Sequence, residues 1–139
     1  MANYETQVVV IAAGPSGLSA AVQAAEDGAE VIVLEKAAAV GGAANMGMGP
    51  LGIGTKYQKK QMEDITVEKA FNMFMEYTHY NVDARLVKRY FEQSGETIEW
   101  LEDMGVEFEG AYRYFPKSEP TWHICLLYTS PSPRDGATS

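Results

Sequence analysis

Apolar residues fall along this chain in two different rhythms. Val8, Val9, Val10 and Ile11 form a short β-branched run, too short for a helix and suited to a buried parallel strand. Leu18, Ala21, Val22 and Ala25 then recur at helical spacing and make one apolar face. Gly28 ends that helix, and Val31 to Leu34 make a second strand closed by Glu35. Between the first strand and the helix lies the turn Ala12-Ala13-Gly14-Pro15-Ser16-Gly17. Strand, glycine turn, helix, strand and terminal acid are the order of a dinucleotide-binding βαβ unit. Glycines let the backbone approach a pyrophosphate, the helix N-terminus faces its charge, and the acid holds a ribose hydroxyl. A lone glycine triplet carries little weight, and a plain buried βαβ unit is the bland reading. The strand–helix context and the acid favour nucleotide binding.

One position breaks the fingerprint: Ala12 stands where the first glycine belongs, while Gly14 and Gly17 are in place. If the turn needs φ > 0, alanine there costs on the order of 1 kcal/mol or more. A negative local φ would remove that cost. One base change turns a glycine codon into an alanine codon, so a read error is a second explanation.

After Lys36 to Val40 comes GGAANMGMGPLGIGT, from Gly41 to Thr55. Flexible linkers are Gly/Ser-rich and polar. This segment carries Met46, Met48, Leu51 and Ile53 among its glycines, which suggests a buried, ligand-lining loop. Residues 57–63 are polar and expected to be exposed. Asp64 or Thr66 can cap a helix with Val67, Ala70, Phe71, Phe74 and Thr78 on one face, Met73 and Met75 serving as core filler. Asn81-Val82-Asp83 reads as a turn and cap. A further helix follows with Leu86, Val87, Tyr90 and Phe91 inward. Ser94 is expected to cap another, with Ile98, Leu101 and Met104 inward and Gly105 at its end. Val106 and Phe108 alternate with Glu107 and Glu109 as in a half-exposed strand. Residues 112–120 read as loop or edge strand.

The 139 residues suffice for one modest domain, and a hydrophobic fraction of 46% supports a core. A formal charge of −8 argues against nucleic acid as a partner. No apolar run is long enough to span a bilayer and the N-terminus lacks a signal-peptide pattern, so a cytoplasmic location is expected. Other chemistry is thin. Glu96, Glu99, Glu102 and Asp103 read as a solvated helix face. His79 and His123 have no Cys or acid at ligand spacing, so no metal site is expected. Ser16 lacks the Gly-x-Ser-x-Gly spacing of a nucleophile elbow, and its expected role is a hydrogen bond to phosphate. No catalytic residue is assigned.

From Cys125 the text becomes CLLYTSPSPRDGATS. A disordered tail is the bland reading. The peptide Cys125 to Asp135 also resembles, codon by codon, the translation of a transposon-end sequencing adapter. Residues 125–139 are therefore set aside as an expected non-native tail, and residues 1–124 are read as a partial domain, the N-terminal piece of something larger.

VVVIAAGPSGLSAAVQAAEDGAEVIVLEK, VGG, the glycine-rich loop and DARLVKRYFEQSGETIEWLEDMGVEF together resemble the FAD-dependent oxidoreductases of the succinate dehydrogenase/fumarate reductase flavoprotein family, chiefly their soluble bacterial members. The resemblance implies an α/β fold. Its first part would be a Rossmann-like βαβ FAD-binding unit of the GR2 type, incomplete, followed by a glycine-rich loop and three helices. It implies FAD as cofactor, with the pyrophosphate over Gly14, Ser16 and Gly17. Glu35 would take the adenosine ribose hydroxyls, and Lys36 would lie near the adenine. Gly41, Gly42, Ala44 and the loop to Gly49 would run along the pyrophosphate and flavin ring. Members often carry Asn after the double glycine and Ser before a later Gly-Gly; this chain has Ala43, and Gly47-Met48-Gly49-Pro50. The implied chemistry is hydride transfer between flavin N5 and a C–C bond next to a carboxylate or carbonyl of a small-molecule substrate. The family's substrate-clamping residues come from later segments, and Arg85, Arg89 and Arg113 do not take that role. Two alternatives stand beside this reading. A nicotinamide-binding Rossmann domain would usually proceed to a helix where the glycine-rich loop lies. A non-catalytic nucleotide-binding module would bind without reacting.

Overall fold

The structure, a computed structural model, describes residues 3–47, 49–114, 116 and 118–125. The chain divides into two compact units, residues 1–47 and residues 48–139. Met48, Phe115, Lys117 and the segment 126–139, which holds most of the expected tail, lie outside the described residues.

The first unit is the expected βαβ arrangement. Strand β1 (Val8–Ile11) pairs in parallel with β2 (Val31–Leu34), Val8 opposite Val31 and Ile11 opposite Leu34. Helix α1 (Pro15–Glu26) connects them, with Pro15 pre-set for its first turn and Ala21 buried. Gly28, at φ +88°, reverses the chain behind it. The sequence suggested strands buried on both faces. Here Val8 and Val10 are half-buried, whereas Val9 and Ile11 are exposed. Only one face has a helix to cover it among the described residues, and a parallel sheet needs two. A short 3-10 turn (Gly42–Met46) ends the unit.

Among its described residues the second unit has three helices and an antiparallel pair. Helix α2 (Lys56–Lys60) is opened by a capping box, in which the Thr55 side chain accepts from the Gln58 N–H and Gln58 reaches back. Helix α3 (Val67–Tyr77) is capped by Thr66, and α4 (Ala84–Asp103) by Asp83. Strands β3 (Phe108–Arg113) and β4 (Pro120–Cys125) pair antiparallel, with irregular register after Phe108 and after Tyr112. The loop ahead of α2 lies along the other side of β4. His123 N–H donates to Pro50 O (2.9 Å) and Gly52 N–H to Thr121 O (2.7 Å). Ile53, Ile65, Ala70 and Phe91 form the core, with Val67, Phe71, Phe74 and Val87 packed against it.

Several expectations are corrected. The two helices expected on either side of Ser94 are one helix, α4, so Ser94 is not a cap. Its hydroxyl donates to Phe91 O and accepts from Ile53 N–H (3.1 Å), and it is buried. Gly95 beside it gives room rather than a break: a Cβ there would lie 2.7 Å from Ile53 O. Leu86, Tyr90 and Met104, expected inward, are exposed. The segment 57–63, expected to be exposed, holds all of α2 but its first residue and includes the fully buried Gln58, whose amide donates to Gly52 O and Pro120 O (2.9 and 2.8 Å). Of residues 112–120, Tyr112 and Arg113 end β3 and Pro120 begins β4, while Phe115 and Lys117 lie outside the described residues. The expected tail begins at Cys125, which is the last residue of β4, opposite Phe108; this pairing leaves the boundary of the tail open.

A buried polar chain joins the loop to β4. His123 is fully buried, with Nδ1 3.0 Å from Thr121 O and Nε2 2.7 Å from Thr55 Oγ1. A carbonyl only accepts, so Nδ1 carries the proton and Nε2 accepts from the Thr55 hydroxyl. Burial pushes the imidazole below its usual value, against smaller opposing effects of Thr121 O and the Glu102 carboxylate. Burial, followed by the Glu102 carboxylate that its hydroxyl donates to, pushes the Tyr57 phenol up to about 12.

Candidate functional site

The residues implicated by the sequence converge, within the first unit, on the peptide of Ala13. The β1–β2 ladder ends with Ala12 N–H donating to Leu34 O (2.8 Å). The chain then turns away, and Ala12 has φ +84°. The turn does require the left-handed region that alanine resists. Ala13, only 1% exposed, donates its N–H to Glu35 Oε2 (2.8 Å) and accepts at its carbonyl from Gly41 N–H (2.7 Å). The glycine turn, the end of β2 and the double glycine are thus tied at one residue.

Each glycine of the turn has its own cause. A Cβ on Gly17 would lie 1.9 Å from Ala12 O, so only glycine lets α1 close against the turn. A Cβ on Gly14 would meet nothing within 4 Å. The space before Gly14 is open, which suits a group approaching the backbone. Gly41 and Gly42 adopt φ +105° and +54°. A Cβ on Gly42 would lie 3.2 Å from Gly14 Cα, so the double glycine lets its loop pass close to the turn.

The electrostatics of this corner favour an anion. Gly14 is the N-cap of α1, no side chain caps that end, and no acid lies in its first turn. The N–H groups of the first turn and the positive end of the helix dipole are therefore offered to a ligand. Ser16 is exposed in this turn, and its hydroxyl can donate to the same ligand. Glu35 accepts from Ala13 N–H and, through Oε1, from Ala37 N–H (2.8 Å). These bonds, Ala37 first, hold its carboxyl below the usual value, against a smaller opposing effect of burial. An ionised carboxylate has about four acceptor sites, and the two bonds leave capacity for hydroxyl donors. Lys36, Gly42 and Ala44 are exposed.

The structure therefore brings together Gly14, Ser16, Gly17, Glu35, Gly41 and Gly42 in one unit; Lys36 follows Glu35 in the chain, and Ala44 lies in the 3-10 turn that starts at Gly42. Gly49 belongs to the second unit, where its φ is +136° and a Cβ would lie 1.8 Å from His123 O. Its need for glycine is met there by the backbone of β4. Further along the expected ligand-lining loop, Ile53 sits in the protein core and Gly52 packs on Ile98, so that end of the loop is laid against protein. Two residues escaped the sequence reading. Ala13 gave no signal, because its role lies entirely in its backbone. Asn45 donates to Val40 O (2.9 Å) and lies beneath Gly41, where a Cβ would fall 2.1 Å from Asn45 Oδ1. An Asn so soon after a Gly-Gly pair was the available cue.

The open Gly14 backbone, the uncapped helix end and the carboxylate with spare acceptor sites fit the pyrophosphate and ribose of an adenine dinucleotide. Comparison with known proteins agrees. A family model for the FAD binding domain matches residues 7–136. Vinyl phenol reductase of Lactiplantibacillus plantarum is 36% identical over 117 residues, covering 84% of this chain and 24% of its own. Digoxin reductase of Eggerthella lenta is 33% identical over 113 residues, covering 78% of this chain and 20% of its own. Among solved structures, the open conformation of a flavocytochrome c3 fumarate reductase superposes with a TM-score of 0.75 at 31% identity, covering 85% of this chain and 21% of that one. The chain thus spans about a quarter or less of the length of these relatives. It belongs to the FAD binding domain family and resembles, over most of its length, the FAD-binding part of fumarate reductase-like flavoproteins.

Proposed function

We propose that this chain holds FAD in a reductase that transfers hydride to or from a C–C bond beside a carboxylate or carbonyl. The observation that carries the reading is the Ala13 junction, which gathers an uncapped helix N-terminus, the Glu35 carboxylate and the double glycine at one corner. In this reading the first-turn N–H groups at Ser16 and Gly17 take the pyrophosphate, with the Ser16 hydroxyl beside them. Glu35 takes the adenosine ribose hydroxyls, and Lys36 lies on the adenine side. Gly41, Gly42 and Ala44 present backbone to the pyrophosphate, and Gly49 follows toward the flavin ring. When bound, FAD supplies the redox chemistry, and this chain's residues bind and orient it. A relative named NADH:fumarate oxidoreductase and one named urocanate reductase support a small unsaturated carboxylate as substrate class. The substrate-binding residues are assigned to the remainder of a longer protein, so this piece alone is expected to be inactive. A cytoplasmic location belongs to this reading as a proposal; among the described residues no helix is long and apolar enough to cross a membrane.

FAD titration of the 139-residue chain tests the reading, with flavin fluorescence and the Ser16 and Gly17 amide resonances followed together. Quenching with shifts at those amides is expected. Binding of NAD without FAD would overturn it. The partial-domain boundary at 124 and the adapter origin of residues 125–139 stand as proposals from the peptide alone; a repeat DNA read past codon 124 tests them.

A further inference from the structure

We propose that Glu35 is a positioning residue for the glycine turn, fixing the Ala12–Ala13 backbone and the Gly41 loop before any nucleotide arrives. The functional meaning of this role rests on the FAD-binding reading, but the role itself follows from the hydrogen bonds of the protein alone. The β1–β2 backbone ladder has ended when the chain reaches Ala13, whose acceptor is a side chain, Glu35 Oε2. Ala13 is almost fully buried, so loss of that acceptor leaves a buried N–H unpaired. The other oxygen, Oε1, accepts from Ala37 N–H and closes the turn after β2. Ala13 passes the restraint on, because its carbonyl accepts from Gly41 N–H. One carboxylate therefore orders all three backbone segments of the candidate site.

Ala12 gives this chain a need for such a clamp. Ala12 holds φ +84°, and a residue in the left-handed region persists only where its surroundings over-determine it. Ala12 is restrained on one side by Leu34 O and on the other by the Ala13–Glu35 bond. The two bonds leave the carboxylate acceptor sites for ribose hydroxyls, so positioning and ligand contact are compatible.

Amide hydrogen exchange in the ligand-free 139-residue chain tests the clamp directly. In Glu35→Ala, exchange at Ala13 and Ala37 is expected to speed up about tenfold or more, as for loss of hydrogen bonds to a charged acceptor. Exchange at His123, in the second unit, should stay unchanged and serves as the folding control. Should Glu35→Ala unfold the first unit, Glu35→Gln keeps one acceptor oxygen, and exchange should accelerate at one of the two amides only. Unchanged exchange at both amides in either folded variant overturns the proposal.

A second readout separates positioning from ribose contact. ADP and 2′,3′-dideoxyadenosine diphosphate, which lacks the ribose hydroxyls, are titrated into wild type and Glu35→Ala. Loss of the clamp should weaken the dideoxy ligand by about tenfold and ADP by at least as much, and Ala12→Gly in the Glu35→Ala background recovers part of the loss. Weakening of ADP alone would reduce Glu35 to a ribose contact and overturn the proposal. Wild-type chain that binds neither ligand would sink the nucleotide reading, while the exchange result would still decide the clamp.

Discussion

Replacing Ala12 by glycine should stabilise the first unit, although it removes a methyl group. At φ +84° an L-residue with a Cβ carries roughly 1–2 kcal/mol of strain. Glycine is free of that strain but gives the unfolded chain more conformations, which costs about 0.4–1 kcal/mol. The net gain is about 0.8 kcal/mol, or about a fourfold increase in exchange protection for amides that open only with the unit. The assay should be local, since both tryptophans, Trp100 and Trp122, lie in the second unit and their fluorescence would miss the effect. Amide exchange at Val8, whose N–H donates to Glu30 O, and at Val10, whose N–H faces β2 in the same parallel ladder, reads it instead. The chain supplies its own mirror control in Gly28, at φ +88°, where a Cβ would meet nothing within 4 Å. Gly28→Ala should therefore lose by backbone strain alone about what Ala12→Gly gains. A neutral or destabilising Ala12→Gly, with Gly28→Ala behaving as expected, would refute the positive φ at Ala12.

Further substitutions and a pH titration extend the test. Gly17→Ala places a Cβ 1.9 Å from the backbone oxygen of Ala12; with no flexible side chain to move, a loss of about 3 kcal/mol and of measurable FAD binding is expected by urea titration and flavin fluorescence. Phe91→Ala should cost about 3–5 kcal/mol in the second unit, read by tryptophan fluorescence against urea; a loss under 1 kcal/mol would remove Phe91 from the core. His123 is held neutral, its folded value below its unfolded one, so the unfolded chain takes up the proton first as pH falls. Its contribution is therefore fully present above about pH 6.5 and is lost as pH drops from there through the lower folded value. Urea midpoints of wild type and His123→Gln between pH 7.5 and 5 check the sign: the wild-type midpoint should fall more steeply, and parallel curves would refute it.

The two units differ in how much of them could be read from sequence, and the difference is physical. In the first, every signal is local. The β-branched runs, the glycine turn, the helical face and Glu35 fall within one strand–helix–strand segment, so periodicity and turn chemistry point to one answer. The misfit at Ala12 was visible too, but the sequence left the sign of its φ open, and the structure gives +84°. In the second unit the decisive contacts are distant in sequence. Ser94 and Gly95 look like a helix boundary because serine favours caps and glycine weakens helices. Their partner is Ile53, about forty residues earlier: Ser94 Oγ accepts its N–H, and the missing Cβ of Gly95 makes room for its carbonyl. Gln58 reads as surface, yet its amide bridges Gly52 O and Pro120 O inside the unit.

The same distinction changes what the glycines between Gly41 and Gly54 mean. A glycine in a loop can mark backbone laid against a ligand or backbone laid against protein, and sequence does not separate the two. The space that a Cβ would occupy does. At Gly14 that space is empty, beside an uncapped helix end that attracts anions. At Gly49, Gly52 and Gly95 it is filled by His123 O, the Ile98 side chain and Ile53 O. Alanine at Gly14 should therefore leave the ligand-free chain folded and weaken FAD, since the added methyl meets only the incoming ligand. Alanine at Gly52 should destabilise the second unit before any ligand is added, by about 1–3 kcal/mol from overpacking on Ile98. Urea midpoints and FAD titrations on the two variants separate these outcomes. A Gly14→Ala chain that binds FAD as tightly as wild type would move the pyrophosphate away from the head of α1, whatever its stability.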